Sequence, residues 1–389
     1  MYTEAKVSFT NFAKNNKMEF TPLNQWIAFD KKPLIIAGPC SAETEEQVME
    51  TARQISTIPQ VKVFRAGIWK PRTRPGGFEG VGREGLKWLA RVKRETGLLT
   101  TVEVAKPEHV EQAVEEGIDI LWIGARTVVN PFSVQELSEA LSGIDIPLLV
   151  KNPVNPDLKL WLGAIERLAA TGHSKIAAVH RGFSQLEKSG YRYPPLWEIP
   201  IDLMRLMPGL PVICDPSHIG GCATMVQGIS QHALDLEMQG LMIETHIDPV
   251  HALTDQKQQI TPQALKILTE NLVTKEPKGT YEFERNLEAL RRDIDFIDDQ
   301  VLQLLAKRMD IAHEMGVYKN EHNITILQIA RWKQLYSDRL NKGTRMGLNS
   351  KFLSDMLKLL HEESIRVQTD VLRENENLNQ VDDRNQDIA

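Results

Sequence analysis

From Pro33 to Leu272 the chain alternates two hydrophobic rhythms. Short, nearly continuous apolar runs stand at Pro33–Cys40, Val61–Ile68, Leu98–Ala105, Ile120–Ala125, Pro147–Asn152, Ile176–Phe183, Pro211–His218 and Gly240–His246. Strands buried on both faces read this way. Between them lie segments with helical spacing, among them Glu43–Ser56, Arg83–Thr96, Pro107–Glu116, Val134–Leu141, Asp157–Ala170, Ala223–Gln239 and Pro262–Leu272. Strand then helix, eight times in about 240 residues, predicts a (β/α)8 TIM barrel over residues 33–273. A doubly wound open sheet shares the alternation. No run here passes straight into a glycine fingerprint for a dinucleotide, which weakens that alternative. Residues 1–32 are mixed and polar, and read as an arm packing on the first strand.

After residue 273 the pattern changes. Residues 274–281, with Pro277 and Gly279, read as a linker. Glu282–Asn320 then carries Leu287, Leu290, Ile294, Ile297, Val301, Leu304 and Leu305 at helical spacing, with Gly316 its only glycine and no proline. This predicts one long helix. Two shorter helices are expected near Leu327–Lys342 and Ser350–Arg373, interrupted by Gly343 and Gly347. The second domain, 282–373, is therefore small and all-α, and residues 374–389 read as a disordered polar tail. Three helices of such unequal length bury little alone. A homodimer through this domain, or a higher assembly, is the expectation.

Composition narrows the classes. The chain is 42% hydrophobic and 25% charged, with a net charge of -6 and a pI near 6.0. An acidic balance argues against nucleic acid as partner. No apolar run reaches the ~18 residues that a membrane span needs. Met1–Glu19 lacks the apolar core of a signal peptide. Three cysteines, Cys40, Cys214 and Cys222, suit a reducing compartment better than a disulfide framework, so a cytoplasmic location is expected.

Against that background the cations are clustered. Arg65-Ala-Gly-Ile-Trp-Lys70-Pro-Arg72-Thr73 follows the second run, with Gly67 and Pro71 to bend the backbone. Cations so close together must face water or an anion. On its own the stretch has a second reading, a solvated basic loop. In a (β/α)8 barrel, however, the active site lies at the C-terminal strand ends. There the runs carry Cys40 and Glu43, the Arg65–Thr73 stretch, Arg126, Lys151, His180-Arg181, Asp215 and His218, and Glu244 and His246 with Asp255 beyond. Arg65, Lys70, Arg72, Arg126, Lys151 and Arg181 are six cations at one mouth, which calls for several anionic groups, such as two phosphates and a carboxylate. Cys40, His218, Glu244 and Asp255 form a mixed sulfur, nitrogen and oxygen set suited to a borderline divalent metal: Mn, Fe, Co or Zn. Asp215 or His246 can replace one ligand, or stand behind the ligands or act in acid–base chemistry. Taken singly, Cys40 reads as a small buried residue at a strand end.

Together, Gly38-Pro-Cys-Ser-Ala-Glu43, Arg65–Thr73, Pro75–Gly80, Ile123-Gly-Ala-Arg126, Asp215-Pro-Ser-His218 and Ile243-Glu-Thr-His246 resemble the type I-beta 3-deoxy-D-arabino-heptulosonate 7-phosphate (DAHP) synthases over roughly residues 33–272. The resemblance implies a barrel that joins phosphoenolpyruvate to erythrose 4-phosphate with a divalent metal, the first step of the shikimate route. It implies Cys40, His218, Glu244 and Asp255 as metal ligands. Arg126, Lys151 and Arg181 would hold the phosphoenolpyruvate phosphate, with Arg65 and Lys70 near its carboxylate. Arg72 and Thr73 would take the erythrose 4-phosphate end. Two positions depart from the family: Asn152-Pro-Val-Asn155 follows Lys151 where Arg-Gly is common, and His180 stands where Glu is usual. The nearest rival, 3-deoxy-D-manno-octulosonate 8-phosphate synthase, carries Lys-Ala-Asn-Arg where this chain has Lys70-Pro-Arg-Thr73.

On the long helix, Arg308 and Lys319 fall within about 20° of each other and share a face. Arg291 lies about 100° away from Arg308 and about 25 Å along the axis, too far to reach the same small ligand. It is either surface charge or serves another copy of the site. Ser364 and Gln368 share a face of the last helix. The segment 287–319, Arg331 and Glu363–Gln368 resemble the all-helical chorismate mutases over about residues 282–373. That resemblance implies an intertwined dimer. Arg291 of one chain and Arg308 of the other would bind the carboxylates of chorismate, joined by Arg331. Lys319 and Gln368 would face the ether oxygen, with Ser364 nearby, as chorismate becomes prephenate. Trp332 and Gln328 stand where the family often has Glu and Asp, which leaves the substrate-hydroxyl contact open.

The two resemblances make the expected protein a bifunctional enzyme whose synthase is inhibited by prephenate or chorismate through the helical domain. Two alternatives stay beside it: a helical domain that only binds effector and dimerises, and a barrel that binds a sugar phosphate without turning it over.

Overall fold

The computed structural model describes residues 18–29, 33–70, 76–186, 190–275 and 281–386, with side chains of the last segment described from 282 to 373. Eight parallel strands close into a barrel in sequence order: β1 Leu34–Gly38, β2 Val61–Arg65, β3 Leu99–Val104, β4 Ile120–Ile123, β5 Leu148–Lys151, β6 Ile176–His180, β7 Val212–Cys214 and β8 Gly240–Glu244. Closure is made by β1 pairing with β8, Leu34 opposite Gly240 through to Gly38 opposite Glu244. Each strand lies inside its predicted apolar run. The runs extend further because the residues that turn into the active-site loops are buried as well.

Side chains alternate across the sheet as a period of two demands. Ile36, Val63, Trp122, Leu149, Val179 and Met242 point inward and fill the barrel. Ile35, Phe64, Leu121, Val150 and Ala178 point outward, against helices such as Glu45–Ile55, Glu84–Thr96 and Leu158–Ala170. Leu23 and Ile27 of the N-terminal segment pack with Leu34 and Ile36 in the inner layer. A helix at Glu198–Leu206, between β6 and β7, is absent from the sequence reading. Pro200 inside it and a loop rich in Tyr and Pro ahead of it hide its periodicity.

The contacts divide the chain between Pro277 and Lys278 into two compact units. The second holds three helices, Tyr281–Glu321, Ile329–Arg345 and Ser350–Gln386. Two expectations need correcting. The last helix does not stop at Arg373: its backbone is helical to Gln386, through the stretch read as disordered. That stretch is polar but holds neither Gly nor Pro, and Glu, Gln and Arg are good helix formers. Nor does Gly343 interrupt the middle helix, which runs on to Arg345. The break comes at Gly347, whose φ of +88 closes the turn.

Candidate active sites

The barrel site is assembled where β1, β2, β7 and β8 end. Cys40 follows β1 and is buried, its Sγ 3.3 Å from Asp255 Oδ2. Lys70 Nζ donates to the Cys40 carbonyl at 2.7 Å and lies 3.1 Å from its Sγ. After β7, Asp215 caps a one-turn helix by accepting the His218 N–H at 3.1 Å, which turns the His218 ring into the barrel. Asp215 Oδ2 then lies 2.8 Å from His218 Nδ1 and accepts from Lys151 Nζ at 2.9 Å. His218 Nε2 faces Glu244 Oε1 at 3.8 Å.

Of the four expected metal ligands, Cys40, Glu244 and Asp255 have donor atoms all within 4.8 Å of one another, and His218 joins through Glu244. Glu244 is fully buried, and its Oε1 accepts no hydrogen bond. A buried carboxylate oxygen without a hydrogen bond, beside a thiol and an imidazole, fits a divalent cation. Burial, with the charges of Glu244 and Asp255, pushes the Cys40 thiol up to about 12. A thiolate there needs a compensating cation. Burial pushes His218 below its ordinary range, which favours the neutral ring that a metal ligand needs.

Beside these donors opens a cavity of about 330 Å³. Lys70, Arg126, Lys151 and Arg181 line it, four of the six predicted cations. Arg65 is not among the lining residues. It is buried on β2, 5.0 Å over the Trp122 ring, with Nη1 3.4 Å from Glu244 Oε1. Arg72 and Thr73 lie outside the described residues. His246 is buried 3.6 Å from Glu43 instead of facing the donor set. Sequence reasoning missed Arg192 and Tyr193, which also line the cavity. Arg181 stacks 3.7 Å over the Tyr193 ring. Both residues come from the long loop after β6, well past the strand end, where the rule for barrel sites gives no signal.

The helical unit has its own pocket, of about 300 Å³. Arg308, Lys319, Arg331, Ser364 and Gln368 all line it. Arg308 Nη1 donates to Ser364 Oγ at 2.5 Å and to the Leu360 carbonyl at 3.0 Å. Lys319 Nζ donates to Gln368 Oε1 at 2.9 Å and to the Ile326 carbonyl at 2.6 Å. Burial, joined at Arg308 by the Arg339 charge, lowers the pKa of both cations, a cost to their charge that a nearby anion would offset. Trp332 stacks on His361, ring centroids 3.7 Å apart and planes 3° apart, and both line the pocket with Gln328. Arg291 does not line it; it is exposed and 3.8 Å from Glu288.

Fold and sites together define a (β/α)8 enzyme for small, multiply anionic substrates, followed by a separate helical unit with a second cationic pocket. The chain belongs to the DAHP synthetase I family, matched over residues 13–277, and carries a chorismate mutase type II domain, matched over residues 290–369. It is 35% identical over 238 residues to a phospho-2-dehydro-3-deoxyheptonate aldolase of Thermotoga maritima, spanning 61% of this chain and 68% of that protein. A 2-dehydro-3-deoxyphosphooctonate aldolase of Wolinella succinogenes is 29% identical over 259 residues, 62% of this chain and 98% of that one. The crystal structure of the Thermotoga maritima DAHP synthase superposes with a TM-score of 0.57 at 30% identity, covering 70% of this chain and 74% of that one.

Proposed function

We propose that the barrel condenses phosphoenolpyruvate with erythrose 4-phosphate to give DAHP and phosphate, and that the helical unit rearranges chorismate to prephenate. The observation that carries the first reading is the cation-lined cavity whose wall includes His218 and Asp255, with Asp255 grouped closely with Cys40 and Glu244. Arg126, Lys151 and Arg181 suit a phosphate. Lys70, held by the Cys40 carbonyl, suits the carboxylate of the same substrate, with Arg65 beneath. Arg72 and Thr73 are assigned to the phosphate of the aldose. C3 of the enol attacks the aldehyde carbon, water adds at C2, and the phosphate leaves, so phosphoenolpyruvate, erythrose 4-phosphate and water become DAHP and phosphate. Cys40, His218, Glu244 and Asp255 would hold a divalent cation (Mn, Fe, Co or Zn), which supplies Lewis acidity toward the aldehyde oxygen. The tetrose is preferred over arabinose 5-phosphate because identity to the heptonate relative is the higher of the two. Assaying the purified chain with phosphoenolpyruvate and each aldose checks this. Faster turnover of arabinose 5-phosphate would reverse the assignment.

The rearrangement proposed for the second pocket needs no nucleophile. Arg308 and Arg331 suit the carboxylates of a compact dianion, while Lys319 and Gln368 suit an ether oxygen that gains charge as its bond breaks. The rearrangement then comes from restraint and preorganised charge. A homodimer completes the site. Phe283, Leu287, Leu290, Ile294, Ile297, Val301 and Leu304 follow one another by four and three residues, the spacing of a coiled-coil seam. The five from Leu290 to Leu304 are 47% to 67% exposed in the single chain. A second copy of that helix is the fitting cover, and it would carry the partner's arginine at position 291 toward the pocket. Prephenate or chorismate bound there is further proposed to inhibit the barrel, the motive being the fusion itself. A synthase rate unmoved by saturating prephenate would remove that regulation.

A further inference from the structure

Two carboxylates of the barrel's donor set are each held from behind. Asp255 turns Oδ2 toward the Cys40 thiol at 3.3 Å and gives Oδ1 to Arg192 Nη1 at 3.0 Å. Glu244 turns Oε1 toward His218 Nε2 and gives Oε2 to Gln258 Nε2 at 2.6 Å. The two restraints are one chain, because Arg192 Nη1 also donates to Gln258 Oε1. Gln258 is buried, and its backbone N–H donates to the Asp255 carbonyl at 3.2 Å.

The loop carrying Arg192 is itself fixed to the segment that presents His218. The backbone N–H groups of Arg192 and Tyr193 both donate to the Ile219 carbonyl, at 3.1 and 3.2 Å. Next to it, Gly221 has a φ of +68, and a Cβ there would come within 2.4 Å of Arg192 Cβ. Only glycine lets the loop sit this close. Asp255 adopts a φ of +47, a conformation a non-glycine residue holds only when its surroundings determine it.

We infer that Arg192, acting on Asp255 directly and on Glu244 through Gln258, is a positioning residue of the cation site: it takes the outer oxygen of Asp255 and holds the Gln258 amide that takes the outer oxygen of Glu244, so that one inner oxygen of each carboxylate is presented with Cys40 and His218. This rests on the reading of those four residues as metal ligands. Outer contacts of this kind orient ligands, and their loss costs about 10- to 100-fold in metal affinity. The opposite role is equally well defined: a guanidinium on Asp255 that merely competes with the cation.

The test uses the full chain stripped with a chelator and titrated with Mn(II) without substrates, since Arg192 also lines the substrate cavity. Binding is followed by calorimetry and by the paramagnetic resonance signal of free Mn(II). The wild-type chain is expected to bind one ion per chain, and Cys40→Ser to abolish that binding. Arg192→Gln and Gln258→Met are each expected to weaken binding by about 10- to 100-fold and to broaden the bound-ion spectrum. Gln258→Met changes no charge, so its loss separates orientation from simple electrostatics, and it decides alone if Arg192→Gln does not fold. Affinity unchanged or raised in both variants overturns the positioning role while the metal site stands. Wild-type binding that survives Cys40→Ser overturns the metal site, and the inference with it.

Discussion

His180 shows how much position at a strand end leaves open about one residue. It stands beside Arg181 at a position where Glu is usual in the resembled family, and its ring is fully buried between Trp161, Phe183 and Trp197. Burial first, and then the Arg181 charge, depress its pKa from 6.5 to about 3. The native state holds it neutral, whereas the unfolded chain protonates it below about pH 6.5. Its contribution to stability is therefore fully present above pH 6.5 and is lost as the pH falls toward 3. One proton taken up on unfolding gives a slope of about 1.4 kcal/mol per pH unit. His180→Gln is expected to flatten the stability profile between pH 6.5 and 4.5, measured by denaturant unfolding at a series of pH values. An unchanged slope would assign that limb to other groups. In the second pocket Arg308 has a simpler part. Its hydrogen bond to Ser364 fixes the guanidinium that is proposed to meet a substrate carboxylate. Arg308→Ala should lower chorismate turnover on the order of a hundredfold, with the condensation assay on the same sample as the control for folding.

At the scale of elements, Gly343 is a packing contact and not a helix break. A Cβ on Gly343 would lie 2.2 Å from Leu353 Cδ2, and Leu353 is buried. Two effects oppose in Gly343→Ala. Helix propensity improves by about 1 kcal/mol. Overpacking costs about 1–3 kcal/mol, and a packed leucine has little room to yield. The expected net is destabilisation of the helical unit, read as a lower thermal midpoint of mutase activity; a raised midpoint would show that Leu353 can move. The strands were legible because each is apolar on both faces, which a closed barrel surrounded by helices demands. Glu198–Leu206 was not, since a helix that holds a proline and only two buried residues leaves little periodicity.

For the molecule as a whole, the exposed seam from Leu290 to Leu304 predicts that assembly and mutase activity are one property. Ile294→Glu places a charge in the seam one turn from Arg291. Sedimentation should show a lower-mass species, and chorismate turnover should fall with it while the condensation continues. Full mutase activity in a monomer would mean that Arg291 has no part in the site. What the sequence determined alone is what depends on local order: eight double-faced apolar runs, a helical extension with its own period, and the clustering of Arg, Lys, Cys, His and acidic residues at the run ends. Those signals are local because strand, helix and loop chemistry are set by neighbours in the chain. Only the tertiary structure decided which of those charges share a cavity. It sank Arg65 beneath Glu244, turned His180 into the core, and brought Arg192 and Gln258 onto the far oxygens of Asp255 and Glu244. Those pairings join residues up to 179 positions apart, from Arg65 to Glu244, and they follow from barrel closure, which no local pattern records.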